Sequence, residues 1–424
     1  MLQRFTGLIG IVLILAIAFL ISNNRKAINY RLVASGLGLQ LLLAIFILKV
    51  PIGQALFAKI GSAITKLLAF SDKGAEFVFG AIVRKDLMDQ AFGIGNDFIF
   101  FFKIIPTIIF VSILVSIAYH IGLMQRIVSL VARGVYKLMG VSGSEALSNV
   151  ASVFVGQVEA QIMIKPYLNS MTKSELLASM AGSMACIAGG VMAVYIALGV
   201  PAEYLIAASL MAAPGALAIA KIIYPETQPS ETRGEVRLSV EKQHTNLVDS
   251  ISHGASDGLK VGLNVIAMLI GFIALIALAD YMLGFLGRGL SYLGNPLLAD
   301  YDLSSLSLKS MLGSIFSIFA WAMGVPFKDI HVAGALMGEK MVINEFVAYL
   351  DLVKVKGQLD PKTLVIVSFA LCGFANFSSI AIQVGGIGQL APERRQDLAS
   401  LGFKALICGT LASYLSATLA GIIL

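Results

Sequence analysis

Uncharged apolar stretches long enough to cross a bilayer recur from one end of the chain to the other. Of the 424 residues, 58% are hydrophobic and only 13% are charged, and the mean hydropathy is +0.86. A helix needs about 20 predominantly apolar residues to cross the hydrocarbon core. The sequence therefore predicts an all-α integral membrane protein with eight transmembrane helices, at about 5–22, 31–49, 98–121, 173–199, 202–222, 257–283, 362–388 and 401–423.

The charged residues indicate an orientation in the membrane and no nucleic-acid partner. The net charge is +6, but Lys and Arg are scattered through short loops and form no basic stripe with interleaved aromatics. Most of the clustered bases fall on one side of the membrane if the N-terminus is outside, so we expect a multi-pass protein of the inner or plasma membrane with both termini outside. The three cysteines lack CxxC spacing and the four histidines are far apart in sequence, so no cofactor or zinc site is expected.

Amphipathic and polar segments divide the chain. Two stretches are apolar on one face and basic on the other, "GQALFAKIGSAITKLLAF" and "MQRIVSLVARGVYKLMG", and they predict interfacial helices. A polar linker is expected from Pro225 to about Ser256. We expect three parts: N-terminal spans in 1–97, a first repeat in 98–222, and in 223–424 the linker, a further span and a second repeat. The apolar run near the N-terminus is interpreted as a retained span, because it has little basic n-region and no small-residue cleavage pattern.

Two acidic segments repeat with the same spacing. Glu159 in "GQVEA" precedes Cys186 by 27 residues, and Glu345 in "INEFVAY" precedes Cys372 by 27 residues. An odd number of crossings between the copies would give them opposite orientations. Inverted repeats with broken helices that meet near the bilayer midplane are typical of secondary transporters. The pattern therefore predicts two re-entrant hairpins, one carrying each acid.

A carboxylate within a membrane segment is costly unless it faces a cavity or a partner, so Glu159 and Glu345 are candidate functional residues. The alternative is a hairpin shallow enough for its acid to be solvated at the interface. In "GFANFSSI", Asn376, Ser378 and Ser379 interrupt an apolar span, and Asn376 and Ser379 are spaced to share a helix face. Together with a carboxylate they suit a polyhydroxylated solute, although small polar residues also join helices in membranes.

Taken together, "GQVEA", "NEFVAY" and "CGFANFSSI" resemble the concentrative nucleoside transporters, and the resemblance runs nearly the whole length of the chain. It implies a homotrimer in which each protomer moves a transport domain, built from the two hairpin repeats, like an elevator. It also implies that Gln157 and Glu159 contact the nucleobase, with Val158 beside them and Val191 on the following span.

The resemblance assigns the ribose hydroxyls to the second repeat. It implies that Glu345, Asn376 and Ser379 bind these hydroxyls and that Phe374 borders the pocket. This agrees with the assignment of hydroxyl binding to the same residues from their chemistry alone.

The chain departs from the family pattern in both the first hairpin and the ion site. The family's common motif is G-Q-T-E-A-P, whereas this chain has Val158 for the Thr and Gln161 for the Pro. The positions that match the family's sodium ligands are Ser152, Val155, Cys186 and Ile187. A thiol is a soft ligand and sodium prefers hard oxygens, so either Na⁺ or H⁺ coupling is expected, with Glu159 or Glu345 as the candidate proton carrier.

The sequence therefore predicts a secondary active transporter that carries nucleosides into the cell with a cation, has nucleosides and membrane lipid as partners, and is not an enzyme. A passive channel, or a transporter for another polar hydroxylated solute, is the alternative. An intramembrane enzyme would need a nucleophile with a base or a metal cluster, and no histidine lies near either acid in sequence.

Overall fold

The computed structural model describes residues 2–92, 99–232, 245–292 and 307–424, and all the regular secondary structure in these ranges is helical. The predicted boundary at residues 97 and 98 and the middle of the predicted linker lie outside these ranges. The helices of the first half are α1 (Leu2–Leu20), α2 (Tyr30–Leu48), α3 (Pro51–Leu68), α4 (Phe70–Phe79), α5 (Lys85–Phe92), α6 (Phe100–His120), α7 (Leu123–Met139), α8 (Gly143–Ala151), α9 (Glu159–Ile162), α10 (Lys173–Ala185), α11 (Gly189–Ala197) and α12 (Ala202–Ile223).

The second half continues in the same all-helical manner. Its helices are α13 (Leu247–Tyr292), α14 (Leu308–Ala322), α15 (Ile330–Val342), α16 (Glu345–Val355), α17 (Pro361–Leu371), α18 (Phe377–Leu390) and α19 (Arg395–Ile423).

Six helical stretches in the described ranges are long and apolar enough to cross a membrane: Tyr30–Leu48, Phe100–His120, Lys173–Ala197, Ala202–Ile223, Leu247–Gly289 and Pro392–Ile423. Shorter apolar helices include Thr6–Leu20 and Pro361–Leu371. Each of the eight predicted spans therefore coincides with a helix or a helix pair. The spans predicted at 173–199 and 362–388 are not continuous, because α10 is separated from α11 and α17 from α18.

The predicted linker ends earlier than expected. Helix α13 is 46 residues long and begins at Leu247, ten residues before the predicted span. The Asn246 side chain accepts a hydrogen bond from the backbone N–H of Asp249 at 2.9 Å, which satisfies one of the free donors of the first turn. Hydropathy detects only the apolar part of a helix, so these polar first turns were assigned to the linker.

The two amphipathic stretches form helices with one buried face. Helix α7 buries Val128, Ala132, Val135 and Met139, which recur at three- and four-residue spacing. Gly140 ends this helix in the left-handed region at φ +68°. Helix α3 buries Phe57 and Leu68 together with two glycines.

The buried centre consists of α10, α12, α17 and α19, and α6 and α13 form a separate pair beside it. Within α12 and α19, 89% of the best apolar window is buried, compared with 6% in α13. Gly254 and Gly258 allow α13 to approach α6, since a Cβ at Gly258 would lie 2.6 Å from the Cα of Ile109. Small residues at four-residue spacing commonly permit such close helix packing in membranes.

Candidate functional site

The two interrupted helices meet at their breaks. Helix α10 ends at Ala185, with Cys186 extended as its C-cap, and α17 ends at Leu371, with Cys372 extended as its C-cap. The backbone N–H of Phe374 donates to the carbonyl of Cys186 at 3.3 Å. Gly373 adopts φ +121°, and a Cβ there would lie 2.6 Å from the Ala185 carbonyl oxygen. Only glycine fits this position, and the two breaks are in direct contact.

The two cysteines of the predicted repeat share one partner. The Cys186 thiol lies 3.6 Å from the carbonyl oxygen of Ser209 on α12, and the Ser209 hydroxyl lies 3.3 Å from the Cys372 sulfur. All three residues are buried. The equal spacing noted in sequence therefore corresponds to two equivalent positions that are joined through α12.

The two acids also occupy equivalent positions. Glu159 is the first residue of α9, and Glu345 is the first residue of α16. Each follows a turn, after α8 in one case and after α15 in the other. In the second turn the Asn344 side chain caps α16 by accepting from the N–H of Val347 at 3.0 Å. Each repeat thus has a helix–turn–helix segment followed by a broken helix.

A cavity of about 480 Å³ lies between these turns and breaks. All eight residues that the sequence predicted to bind the solute line it: Gln157, Val158, Glu159, Val191, Glu345, Phe374, Asn376 and Ser379. The structure thus brings together residues that are up to 222 positions apart in sequence.

Glu345 is held in a fixed orientation within this cavity. The Tyr195 hydroxyl donates to its Oε1 at 3.0 Å, and the Asn376 amide donates to its Oε2 at 3.0 Å. The residue is 5% exposed. A carboxylate has about four acceptor positions, so lone pairs remain for hydroxyl groups of a solute.

Asn376 donates a hydrogen bond to Glu345 and is also the N-cap of α18. Its Oδ1 accepts from the N–H of Ser379 at 2.9 Å and from the Ser378 hydroxyl at 2.7 Å. The three-residue spacing from Asn376 to Ser379 therefore reflects a cap, whereas the sequence suggested a shared helix face. The cap fixes the amide so that its N–H₂ faces Glu345.

The acid of the first repeat is bound differently. The Glu159 side chain is exposed to the cavity, and no other described side chain donates a hydrogen bond to it. Its Oε2 lies over Gly156, where a Cβ would come within 2.1 Å. Gln157 beside it is buried and is oriented by Gln383, whose amide nitrogen donates to Gln157 Oε1 at 3.2 Å. The amide is thus fixed, whereas the carboxylate remains available.

The cavity lining has a polar part and a largely apolar part. The polar part comes from the turns and breaks described above. The apolar part comes from α6 and α13, with Asn264 and Ser112 as its polar members, and its other residues are Ile108, Val261, Val265, Met268 and Leu269. Within the described ranges, no hydrogen bond joins these residues of α6 or α13 to the turns or breaks.

The positions that match the family's sodium ligands do not fit a sodium ion well. Ser152, Val155, Cys186 and Ile187 are all buried close to the first break. However, the Ser152 hydroxyl donates to the Ser148 carbonyl at 2.7 Å and contacts the Ser183 hydroxyl at 2.9 Å. The Cys186 thiol is directed to Ser209. Of the two side chains, the Ser152 oxygen already accepts one hydrogen bond, and Cys186 offers a soft sulfur.

Metal-binding clusters are not apparent elsewhere. Across residues 2–92, 99–232, 245–292 and 307–424, no three His, Cys, Asp or Glu residues are grouped as metal ligands would be.

Sequence reasoning did not identify five polar residues of the site. Ser112, Tyr195, Asn264 and Asn344 line the cavity, and Gln383 orients Gln157. Asn344 directly precedes Glu345, and a capping residue at the start of an apolar run is a recognisable signal. The direction of the Tyr195 hydroxyl depends on folding and has no local signal.

Repeated helix–turn–helix segments, paired broken helices and a polar cavity among apolar helices are typical of a membrane transporter. Three family models match: "Na+ dependent nucleoside transporter N-terminus" over residues 9–82, "Nucleoside recognition" over 101–202 and "Na+ dependent nucleoside transporter C-terminus" over 204–421. The chain belongs to the concentrative nucleoside transporter family, as its motifs indicated, and the family consists of transporters, not enzymes.

Relatives and solved structures agree with this assignment. The chain is 38% identical to the nucleoside permease NupC of Helicobacter pylori, with 98% of this chain and 97% of that protein covered. It is 36% identical to the human sodium/nucleoside cotransporter 1, with 99% of this chain and 64% of that protein covered. It is also similar to CNTnw in an inward-facing, substrate-bound state, with a TM-score of 0.91, 40% identity and coverage of 99% and 98% of the two chains. A variant of CNTnw in an outward-facing state gives a TM-score of 0.92 at 39% identity, with coverage of 100% and 98%.

Proposed function

We propose that this protein is a secondary active transporter that carries nucleosides into the cell together with a cation. The observation that carries the proposal is the arrangement around Glu345. Tyr195 and Asn376 each donate to one carboxylate oxygen and hold both oxygens towards the cavity. A carboxylate fixed in this way can accept hydrogen bonds from two neighbouring hydroxyls, such as those of a ribose.

The first repeat would recognise the nucleobase. Gln157 offers an amide and Glu159 a carboxylate, and both line the same cavity as Val158 and Val191. An amide can donate and accept at once, which suits the edges of purines and pyrimidines. Phe374 would border the pocket with an apolar face.

The coupling ion is proposed to be a proton. The donors near Ser152 and Cys186 suit sodium poorly, whereas Glu159 faces the cavity without a hydrogen-bonded side-chain partner among the described residues. A carboxyl group in such a position can take up and release a proton during transport. Sodium remains the second candidate, favoured by the names of the matching family models and of the human relative.

The wider architecture is proposed along the lines that the sequence suggested. The helix–turn–helix segments would be re-entrant hairpins, eight spans would cross the membrane with both termini outside, and the three parts would be 1–97, 98–222 and 223–424. The exposed apolar face of α13 is suited to lipid or to neighbouring protomers of a homotrimer. The inward- and outward-facing states of similar CNTnw structures support an elevator movement.

Uptake into liposomes tests the proposal. Purified protein should accumulate labelled uridine or adenosine above equilibrium when a proton gradient is imposed, and Glu345→Gln should abolish this. A protonophore should stop accumulation, and replacing sodium by choline should not. Accumulation that needs sodium would identify the other ion. Equilibration without accumulation under either gradient would instead indicate a passive channel and refute active transport.

A further inference from the structure

A buried series of hydrogen bonds crosses the first repeat. It lies close to the residues that align with the family's sodium ligands. It joins three segments, α8 with its C-cap Ser152, the short helix α9, and α10. Its central residue is Gln161, which stands where the family's motif has proline and which is fully buried.

The donor and the acceptor of each hydrogen bond in this series can be assigned. The Ser152 hydroxyl donates to the Ser148 carbonyl at 2.7 Å, so at the 2.9 Å contact the Ser183 hydroxyl must donate to Ser152. The Gln161 amide nitrogen then donates to Ser183 at 2.9 Å. At the other end of the amide, the Ser179 hydroxyl donates to Gln161 Oε1 at 2.6 Å.

In these hydrogen bonds, each of the three serine hydroxyls donates its only proton, and the Gln161 amide both donates and accepts. Ser179 and Ser183 are four residues apart on one face of α10, and Gln161 reaches both of them. Proline at position 161 would have no side-chain amide to make these bonds. The side-chain hydrogen bonds that join α9 to α10 thus depend on Gln161, a position at which this protein differs from the family motif.

We infer that Gln161 is a positioning residue that holds the first helix–turn–helix segment closed against α10 without a bound cation. In a site with oxygen ligands on both segments, a sodium ion would draw them together by its charge. Here a neutral amide bridges the segments instead. This role rests on the proposed transport function, because it concerns how the segment closes beside a solute.

The test measures opening of the segment directly, with the full-length protein in liposomes. Cys186 lies at the break, where the N–H of Gly189 donates to the Phe154 carbonyl of the segment at 3.1 Å, and Cys408 is equally buried in α19. Both thiols are labelled with N-ethylmaleimide, and the two peptides are quantified by mass spectrometry. Gln161→Met keeps the size of the side chain and removes the amide. The matched control is Gln40→Met, which removes another buried amide that donates to Ser416 at 2.8 Å.

We expect Gln161→Met to raise the labelling rate of Cys186 about tenfold while that of Cys408 stays unchanged, because about two buried hydrogen bonds are lost at one place only. Gln40→Met should not change Cys186, and the wild type should label at the same rate in sodium chloride and in choline chloride. Three results would overturn the inference: unchanged Cys186 in Gln161→Met, an equal rise at Cys408, or protection of wild-type Cys186 by sodium. Uridine binding is measured on the same samples, so that failure of the transport proposal is seen separately from the labelling result.

Discussion

The two repeats have the same layout but hold their parts in different ways. In the second repeat the break at Cys372 is stabilised by a charge, since the buried Lys340 ammonium donates to the carbonyl of Ala370 at 2.8 Å and lies 3.5 Å from that of Cys372. In the first repeat, the neutral amide of Gln161 instead joins α9 to the Ser179 and Ser183 hydroxyls of α10. The second break is therefore in contact with a buried ammonium, whereas in the first repeat a neutral amide joins α9 to the helix that precedes the break.

The two acids also differ in how firmly they are held. Glu345 is buried and held by two donors, whereas Glu159 is exposed to the cavity and no described side chain donates to it. A fixed carboxylate suits recognition, because little freedom is lost when the solute binds. A carboxylate without fixed donors suits a group that changes its protonation or its partner. On the proposed function, binding of the ribose hydroxyls therefore falls to the second repeat, and proton coupling and contact with the nucleobase fall to the first.

The largest expected effect concerns the fixed acid. Glu345→Gln should weaken uridine binding at least 100-fold, or about 2.7 kcal/mol, because charge-assisted hydrogen bonds to two hydroxyls are lost. Equilibrium binding of labelled uridine in detergent measures this change. Glu393→Gln removes an exposed carboxylate away from the cavity and should leave the affinity unchanged. An affinity within threefold of wild type would exclude a ribose-binding role for Glu345.

The next effect concerns the buried ammonium group of Lys340. Lys340→Met should lower the free energy of unfolding by about 2 kcal/mol, since the buried Ala370 carbonyl loses its donor. The Cys372 carbonyl keeps the Ser413 hydroxyl as a donor at 2.7 Å. The midpoint of thermal unfolding in detergent, compared with Lys404→Met at a more exposed position, measures the loss. Equal midpoints in the two variants would show that the second break does not depend on its cation.

The exposed acid should matter less for binding than for coupling. Glu159→Gln should weaken uridine binding only about tenfold, or 1.4 kcal/mol, because one hydrogen-bonding group is altered and its partners are not left buried. The same variant should lose the response of uptake to a proton gradient while still exchanging uridine across the membrane. If its binding falls as far as that of Glu345→Gln, the proposed division between the repeats is incorrect.

The smallest effect concerns Val158 next to Glu159. Val158→Thr restores the hydroxyl of the family motif and should shift the ratio of KM values for adenosine and uridine about threefold, as expected for one exposed neutral hydrogen bond. Val158→Ala changes the side-chain size without adding a hydroxyl and serves as the control. The same shift in both variants would assign the effect to shape.

Much of this comparison was accessible from sequence because polar residues are conspicuous in apolar tracts. Glu159, Glu345, Asn376 and Ser379 were identified in this way, and the motifs added Gln157, Val191 and Phe374. Hydropathy located the spans because long uncharged apolar stretches are equally conspicuous. It did not locate the break at Cys186 or the one at Cys372, because the residues in both breaks are largely apolar and read as continuous helix.

Interactions between distant segments were not predictable. The roles of Tyr195 and Lys340 depend on which groups folding places opposite their polar ends, and neither residue has a sequence pattern that reveals its partner. Gln161 was recognised as a departure from the family motif, but its connection to Ser179 and Ser183 emerged only from the packing of α9 against α10.

The division of the cavity lining into a hydrogen-bonding part and a largely apolar part has a mechanical consequence. Hydrogen bonds have preferred directions and must be broken and remade when two surfaces shift. Dispersion contacts between methyl and thioether groups are weak individually and have little directionality. No hydrogen bond within the described residues joins the α6 and α13 lining to the turns and breaks. We therefore expect the turns and breaks to shift along these two helices without first breaking directional contacts between the two parts.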